Sequence, residues 1–288
     1  VLLSYGKYQF KPAPPFVPGG EAAGVVRAVG SGVSAVKPGD RVAAFSIYGT
    51  FAERIVVPEQ AVVKIPDGVG FEVAAGTLLT YLTTLHALED RAQLKAGETL
   101  LVLGAAGGVG LSAVQVGKLL GARVIAAAST DEKVEFCKSQ GADLGICYGR
   151  EDLKERTKAL TAGAGADVIY DPVGGSYSEA ALRAIAWEGR HLVIGFAAGE
   201  IPKIPLNLTL LKGCQIVGVF WGQFALRKWQ RNRAHGERIF AWIAEGKLSP
   251  HIDAVLPFAQ GGEALSRLER RAVKGKLILI PGEPARSP

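Results

Sequence analysis

The segment Thr99–Thr130 constrains this chain most, because it has the pattern of a strand, a glycine-rich turn, a helix and a second strand. The turn reads GAAGGVG over Gly104–Gly110. Gly107 and Gly108 would let the backbone approach a pyrophosphate, and Gly110 would let the helix pack closely on the strand. A glycine string alone also fits an ordinary tight turn. Its place inside a βαβ unit of about 30 residues predicts a dinucleotide-binding site.

The end of the second strand bears on the type of dinucleotide. In NAD sites a carboxylate usually stands about 20 residues after the glycine turn and holds the ribose 2′-hydroxyl. Here the strand ends in Ser129 and Thr130, while Asp131 and Glu132 come at the start of the next helix, where acids favour the helix dipole. Lys133 lies one turn into that helix. Hydroxyl groups beside a cation favour NADPH over NADH, although a purely solvated role for Lys133 stays open.

The residues before Phe71 show short apolar alternations broken by Gly and Pro, which is typical of a small antiparallel β-barrel or sandwich. The strands predicted there are Ala23–Val29, Arg41–Phe45, Phe51–Val57 and Ala61–Ile65. Apolar residues then recur at helical spacing over Phe71–Leu88, which predicts one or two linking helices.

From Thr99 the pattern changes to alternating strands and helices, which predicts a doubly wound α/β domain with a parallel sheet. The predicted strands are Thr99–Leu103, Arg123–Ala128, Leu144–Cys147, Val168–Tyr170, His191–Ile194 and Ile216–Phe220; the helices are Val109–Leu120, Glu132–Gln140, Glu151–Leu160 and Tyr177–Ala186. After Gly222 a helix–strand–helix–strand pattern predicts a return to the first domain. We therefore expect an α/β fold with a Rossmann domain, residues 79–222, inserted between residues 1–78 and 223–288.

The composition, 48% apolar and 21% charged, is that of a globular protein. The longest apolar runs, such as Ile216–Trp221, fall short of the ~20 residues of a membrane span, and no secretory signal pattern is present. We expect a soluble, cytoplasmic protein. A mitochondrial location stays open, because the chain opens on Val1 in mid-element and an N-terminal piece is expected to be missing.

Cysteine spacing and charge point to no further site. Cys137, Cys147 and Cys214 lack the close, paired spacing of a disulfide framework or a zinc cluster, so we expect small buried thiols. The net charge of +6 is mild. Its densest basic stretch, Arg227–Arg238, is interpreted as a solvated helix face rather than a nucleic-acid site.

Several segments together resemble the zinc-independent quinone oxidoreductases of the zeta-crystallin type, within the medium-chain dehydrogenase/reductase superfamily. The similarity follows the whole chain in order, and its supporting segments are Pro18–Val26, Lys37–Val42, Gly104–Gly110, Tyr170–Gly175 and Gly189–Phe196. The resemblance implies a GroES-like β-barrel catalytic domain and a Rossmann domain that binds NADPH.

The zinc ligands of related branches are missing from this sequence. The alcohol-dehydrogenase branch carries Gly-His-Glu where this chain reads Gly19-Gly20-Glu21, so Gly20 replaces a metal-ligand histidine, and the four-cysteine zinc lobe is absent. The scattered histidines show no metal-like pairing: His86, His191, His235 and His251. We expect no metal. Without zinc, hydride delivery to a conjugated acceptor is favoured over deprotonation of an alcohol.

The resemblance also implies a set of cofactor contacts. Two aromatic members, Tyr148 and Phe196, could alternatively serve only in core packing at strand ends. The implied contacts are Thr83 at the nicotinamide carboxamide; Gly107, Gly108 and Val109 at the pyrophosphate; Ser129, Lys133 and Tyr148 at the 2′-phosphate; and Phe196 beside the nicotinamide.

The substrate side is represented by one residue. Tyr8, in the pattern Gly6-Lys7-Tyr8, matches a family tyrosine and is the candidate for a hydrogen bond to a substrate carbonyl, with a surface-loop role as the alternative. The family's substrate-side Asn would precede Val1, and the position of a second Tyr reads Leu2.

The resemblance implies a reductase that passes hydride from NADPH to a quinone. A reductase of C=C bonds in enones or enoyl thioesters is the alternative, and a non-catalytic crystallin or RNA-binding role is a third. The resemblance also implies a homodimer formed through the apolar strand Ile216–Phe220 at the edge of the Rossmann sheet, with a covered monomeric edge left open.

Overall fold

The computed structural model describes Leu3, Tyr5, Gly6 and residues 10–282. The chain divides into two compact units, with boundaries after Leu82 and after Gly222; the sequence predicts boundaries after residues 78 and 222. Unit 2 is Thr83–Gly222, and unit 1 is the chain before and after it. Tyr8 lies outside the described residues.

Strands and helices are numbered separately along the chain. The strands are β1 (Glu21–Val25), β2 (Arg41–Phe45), β3 (Val62–Lys64), β4 (Thr99–Leu103), β5 (Arg123–Ala128), β6 (Leu144–Cys147), β7 (Ala166–Asp171), β8 (Ile185–Val193), β9 (Gln215–Gly218), β10 (Ile252–Pro257) and β11 (Lys276–Ile280). The helices are α1 (Phe71–Ala75), α2 (Leu78–Leu85), α3 (Gly108–Leu119), α4 (Asp131–Ser139), α5 (Leu153–Leu160), α6 (Ser176–Arg183), α7 (Asn207–Lys212), α8 (Trp221–Arg227), α9 (Trp229–Ala244) and α10 (Gly261–Glu269).

Unit 1 contains an antiparallel sheet, β1-β2-β3, and a parallel pair, β10 and β11. Helix α9 packs on β3 so closely that a Cβ at Gly236 would lie 2.9 Å from the side chain of Val63. In the basic stretch on α9, Arg233 donates a hydrogen bond to the carbonyl of Glu59 at 2.8 Å and its guanidinium stacks on the ring of Trp229. Part of this stretch therefore serves packing.

The predicted strand Phe51–Val57 is wrong. This segment is irregular, and Val56 is fully exposed, so its alternation has no buried face to match. The backbone N–H of Phe51 donates to the carbonyl of Pro18 at 3.0 Å, a contact with the segment before β1 rather than with a strand.

Unit 2 contains an all-parallel sheet in the order β6-β5-β4-β7-β8-β9, which confirms the predicted doubly wound α/β fold. Every residue of β4 is buried, as expected for a strand covered on both faces. The observed bounds of β4, β5 and β6 are those predicted. The predicted helix Tyr177–Ala186 is too long: it ends at Arg183, because the carbonyl of Ala184 accepts from Ala166 and the chain enters β8.

Side-chain caps decide where two helices of unit 2 begin. Thr130 Oγ1 accepts from the backbone N–H of Lys133 and starts α4. Asp152 accepts from the N–H of Glu155 at 2.8 Å and starts α5 at Leu153, two residues after the predicted start. None of the helices in the described part of the chain is long and apolar enough to cross a membrane.

Candidate cofactor site

The glycine-rich turn follows β4 directly and leads into α3. Gly104 has φ of +58°, a left-handed conformation that favours glycine. A Cβ at Gly110 would lie 2.3 Å from the carbonyl oxygen of Gly104, so helix and turn can meet only without a side chain there. Gly107 is exposed at the cap of α3, and the half-buried Gly108 and Val109 form its first turn. First-turn N–H groups have no acceptor within the helix, so this turn can present them to a pyrophosphate.

A buried hydrogen-bond network lies behind the turn. Thr84 Oγ1 is 2.7 Å from Ser112 Oγ and 2.9 Å from the hydroxyl of Tyr170, and Ser112 Oγ donates to the carbonyl of Val109 at 2.8 Å. Because each hydroxyl has one proton, Tyr170 donates to Thr84 and Thr84 to Ser112. Burial raises the pKa of Tyr170, which keeps this donor protonated. The network ties the end of α2, where the predicted contact Thr83 is half-buried, to the first turn of α3.

The residues predicted for the 2′-phosphate lie at the ends of β5 and β6. Ser129 is exposed directly after β5, and the half-buried Lys133 stands in the first turn of α4. Tyr148 follows β6, and its N–H donates to the carbonyl of Ala128 at 3.0 Å, which joins the two strand ends. The structure thus brings a hydroxyl residue, a lysine and a tyrosine to one edge of the sheet.

Both aromatic candidates are half-buried and also take part in packing. The rings of Tyr148 and Tyr177 have centroids 4.5 Å apart, and both residues pack against the hydrophobic core of unit 2. Phe196, after β8, is so close to the backbone of Gly174 that a Cβ there would lie 2.9 Å from its ring. Packing within unit 2 therefore explains part of the burial of Tyr148 and of Phe196.

Sequence reasoning missed an ion pair at the same strand ends. Arg150 Nε lies 3.1 and 3.0 Å from the two carboxylate oxygens of Asp131, and Arg150 Nη2 lies 2.7 Å from Oδ1. These hydrogen bonds from Arg150 hold the pKa of Asp131 below its usual range. No pattern in the sequence joins the two residues, because Asp131 begins α4 whereas Arg150 belongs to the loop between β6 and α5.

A second missed cluster lies at the ends of β7 and β8. Asp171 accepts hydrogen bonds from the N–H groups of Val173 and Gly174, both at 2.9 Å, and from the hydroxyl of Ser178. His191 Nε2 lies 3.1 Å from Asp171 Oδ2. Burial raises the pKa of Asp171, but the hydrogen bonds from His191 and Gly174 outweigh it and hold the pKa below its usual value.

This cluster forms one wall of a cavity of about 260 Å³ in unit 2. The rest of the lining is mainly apolar and includes the predicted nicotinamide neighbour Phe196, together with Leu182, Val193, Ile201, Pro202, Ile204 and Ile216. The sequence identifies His191 only as an isolated histidine. The signal that could have found the cluster is the position of Asp171 and His191 on neighbouring parallel strands.

Within either unit, the described residues hold no group of three or more His, Cys, Asp or Glu side chains close enough to share a metal ion. A Cβ at Gly20 would meet Ser46 O at 3.4 Å, an ordinary contact, so packing does not demand glycine there. Glu21 accepts from the N–H of Leu79 at 2.9 Å and from Lys276 Nζ. The segment Gly19–Glu21 therefore offers no imidazole, and its carboxylate already has two hydrogen-bond donors. The three cysteines are buried and free, as predicted.

Comparison with known proteins agrees with this architecture. A family model for the alcohol dehydrogenase GroES-like domain matches residues 2–67, and a model for zinc-binding dehydrogenase matches residues 108–235. Quinone oxidoreductase-like protein 2 of Rattus norvegicus is 37% identical over 279 residues, which cover 96% of this chain and 80% of that protein.

Two solved structures extend the comparison. Escherichia coli quinone oxidoreductase complexed with NADPH superposes with a TM-score of 0.89 at 31% identity, covering 97% of this chain and 87% of that one. The structure of 2-haloacrylate reductase superposes with a TM-score of 0.85 at 26% identity, again covering 97% and 87%. The chain is therefore an oxidoreductase that belongs to the quinone oxidoreductase-like proteins of the medium-chain dehydrogenase/reductase superfamily.

Proposed function

We propose that this oxidoreductase uses NADPH, works without zinc and transfers a hydride to a quinone. The observation that carries the choice of NADPH is the set of groups at the ends of β5 and β6. Ser129, Lys133 and Tyr148 offer a hydroxyl, an ammonium and a phenol there, while the carboxylate of Asp131 is already bound by Arg150. A 2′-phosphate needs donors and positive charge, whereas an NAD site uses a carboxylate that is available to the ribose.

The chemistry supplied by a bound NADPH is the transfer of one hydride to an acceptor, and the chain binds and orients the reactants. In this proposal the N–H groups of Gly108 and Val109 hold the pyrophosphate. Thr83 would contact the carboxamide of the cofactor and Phe196 would pack beside its nicotinamide. Tyr8 would be the donor of a hydrogen bond to the substrate carbonyl. A quinone is already a strong hydride acceptor, so it needs no metal to polarise it.

Titration with NADPH and NADH tests the cofactor. We expect NADPH to bind more tightly, and Lys133→Ala to weaken NADPH about tenfold while leaving NADH nearly unchanged, because the ammonium would contact the 2′-phosphate, which NADH lacks. Lys138→Ala is the matched control, since Lys138 is in the last turn of the same helix and pairs with Glu135. Equal affinity of the wild type for the two cofactors would contradict the proposal.

The alternative acceptor is the C=C bond of an enone or enoyl thioester, which is favoured by the similarity to 2-haloacrylate reductase. Steady-state rates with 9,10-phenanthrenequinone, a 2-enal and an enoyl-CoA, all with NADPH, separate the two. We expect the highest kcat/KM for the quinone. A strong preference for the enal or the enoyl-CoA would replace the quinone by this alternative.

We also propose a homodimer that forms through β9. Among the described residues this strand is at the edge of the sheet and pairs with β8 alone, so it can offer backbone groups to a second strand, although the carbonyl of Gly218 already accepts from Arg91 Nε at 3.1 Å. Ile216 on β9 and Phe220 beyond it are 41% and 47% exposed, and Leu210 on the preceding helix α7 is 79% exposed. Apolar surface of this kind beside a strand edge favours association.

Light scattering after size-exclusion chromatography tests the dimer. The wild type is expected at twice the mass of the chain, and Ile216→Lys at the monomer mass, because an ammonium would be buried between paired edges. Val56→Lys is the control, since Val56 is a fully exposed apolar side chain in unit 1. A monomeric wild type would exclude this interface.

A further inference from the structure

The Arg150–Asp131 pair lies where a Rossmann fold distinguishes its two cofactors. Asp131 follows Ser129 and Thr130 after the end of β5, close to the strand end at which NAD sites place the carboxylate that binds the ribose. An unpaired carboxylate here would accept a hydrogen bond from the 2′-hydroxyl of NADH and would repel a 2′-phosphate. Arg150 instead takes up both of its oxygens.

The backbone after β6 places Arg150 for this contact. A Cβ at Gly149 would lie 2.4 Å from the carbonyl oxygen of Ser129, so the chain crosses the end of β5 at a distance that only glycine allows. The N–H of Arg150 then donates to the carbonyl of Cys147 at 3.1 Å and closes the turn. The guanidinium therefore reaches Asp131 from the β6 side, whereas Lys133 comes from α4 itself.

Stability does not account for the pair. Both side chains are 62% exposed, and exposed ion pairs contribute little to folding because solvent and salt screen them. What the pair changes is the local charge. It neutralises a carboxylate that lies close in sequence to Ser129, at the end of β5, and to Lys133, in the first turn of α4.

We infer that Arg150 is a positioning residue for cofactor choice, which acts by holding the Asp131 carboxylate away from the 2′ position of the cofactor. The inference rests on the proposed function, because it takes NADPH as the cofactor. In this view Ser129, Lys133 and Tyr148 attract the phosphate, and Arg150 removes the group that would oppose it.

A double-mutant cycle tests the inference. The variants are Arg150→Gln, Asp131→Asn and the two combined, and the measurement is the Kd for NADPH and for NADH by calorimetry. We expect Arg150→Gln to weaken NADPH about tenfold and to tighten NADH severalfold, with both effects shrinking in high salt. In the Asp131→Asn background the same substitution should change either Kd by less than about twofold.

The matched control is Arg183→Gln. Arg183 is an exposed arginine on α6 that binds Glu179 through Nε and Nη2 in the same unit, and its loss should change neither affinity. An equal loss of NADPH affinity in both backgrounds would show that Arg150 acts on the phosphate directly and would overturn the inference, as would no change in either background. If the wild type prefers NADH, the proposed function fails instead, and the cycle measured with NADH still reports whether Arg150 acts through Asp131.

Discussion

Two carboxylates at the carboxyl edge of the sheet of unit 2 each bind a nitrogen-bearing side chain, in opposite surroundings. Asp171 and His191, at the ends of β7 and β8, have side chains only 3% and 5% exposed. Asp131 and Arg150, at the ends of β5 and β6, are each 62% exposed. The residue types are similar, but water reaches only the second pair.

The difference separates two roles. A buried carboxylate must have all its hydrogen bonds made by the protein, and Asp171 obtains them from two backbone N–H groups, a hydroxyl and an imidazole. That pair therefore fixes the turn after β7. The exposed pair costs little to rearrange. A substitution can thus change the charge at the end of β5 without loss of folding stability. This property suits a residue that determines which cofactor binds.

Loss of the buried carboxylate should have the largest effect. We expect Asp171→Asn to lower the free energy of unfolding by about 3 kcal/mol, because the amide cannot satisfy the four donors that face it. Urea denaturation followed by tryptophan fluorescence measures this. Asp131→Asn is the matched control at the exposed pair and should leave the midpoint unchanged. Similar losses in the two variants would remove the distinction between the pairs.

The glycine turn after β4, which lies between the two pairs in the sheet order, should show a smaller effect. Gly110→Ala places a Cβ against backbone atoms of Gly104 and Ala105 that cannot move away, and we expect a loss of about 2 kcal/mol. At Gly107 the same change meets only Gly104 O at 3.4 Å. Gly107→Ala should therefore keep most of the stability and weaken NADPH binding, because its methyl group stands where the pyrophosphate approaches. If both variants unfold at the same urea concentration, close packing is not the role of Gly110.

Backbone features of this edge could be predicted from the sequence, and side-chain pairings could not. Gly104–Gly110 and the strands β4, β5 and β6 follow from local patterns, since a tight turn needs glycine and a doubly covered strand needs a continuous apolar run. The Arg150–Asp131 pair depends on how two loops meet across neighbouring strands. Its one trace in the sequence is an acid just after Thr130, and the helix dipole alone is enough to explain an acid there.

Two of the differences between the predicted and the observed elements have a related cause. The alternation of Phe51–Val57 is the local signature of a strand, but the N–H of Phe51 donates to the carbonyl of Pro18 before β1 and not to a strand. Likewise the pattern of Tyr177–Ala186 predicts a helix up to Ala186, yet the carbonyl of Ala184 accepts a hydrogen bond from the N–H of Ala166 and the helix ends before it. In both places a contact distant in sequence determines the structure. The predictions for Tyr8, the homodimer and the cell compartment are decided by such contacts or by cellular context, and they stay predictions.

The smallest expected effect is on the acid side of the stability profile. In the folded chain the pKa of Asp171 is held below its ordinary value of 3.8, so the unfolded chain binds a proton more readily and acid favours unfolding. The stabilisation from the carboxylate is complete above that value and is lost as the pH falls through the lower, folded pKa. The difference in unfolding free energy between wild type and Asp171→Asn should accordingly shrink as the pH falls below about 4. The pKa of Asp131 is lowered as well, but this carboxylate is exposed to solvent. In about 0.5 M salt, which screens surface charges, the unfolding free energy of Asp131→Asn should therefore depend on pH as that of the wild type does. A difference that stays constant down to about pH 2.5 would mean that the Asp171 carboxylate is not stabilised in its charged form, and the contrast between the buried and the exposed pair would then rest on packing alone.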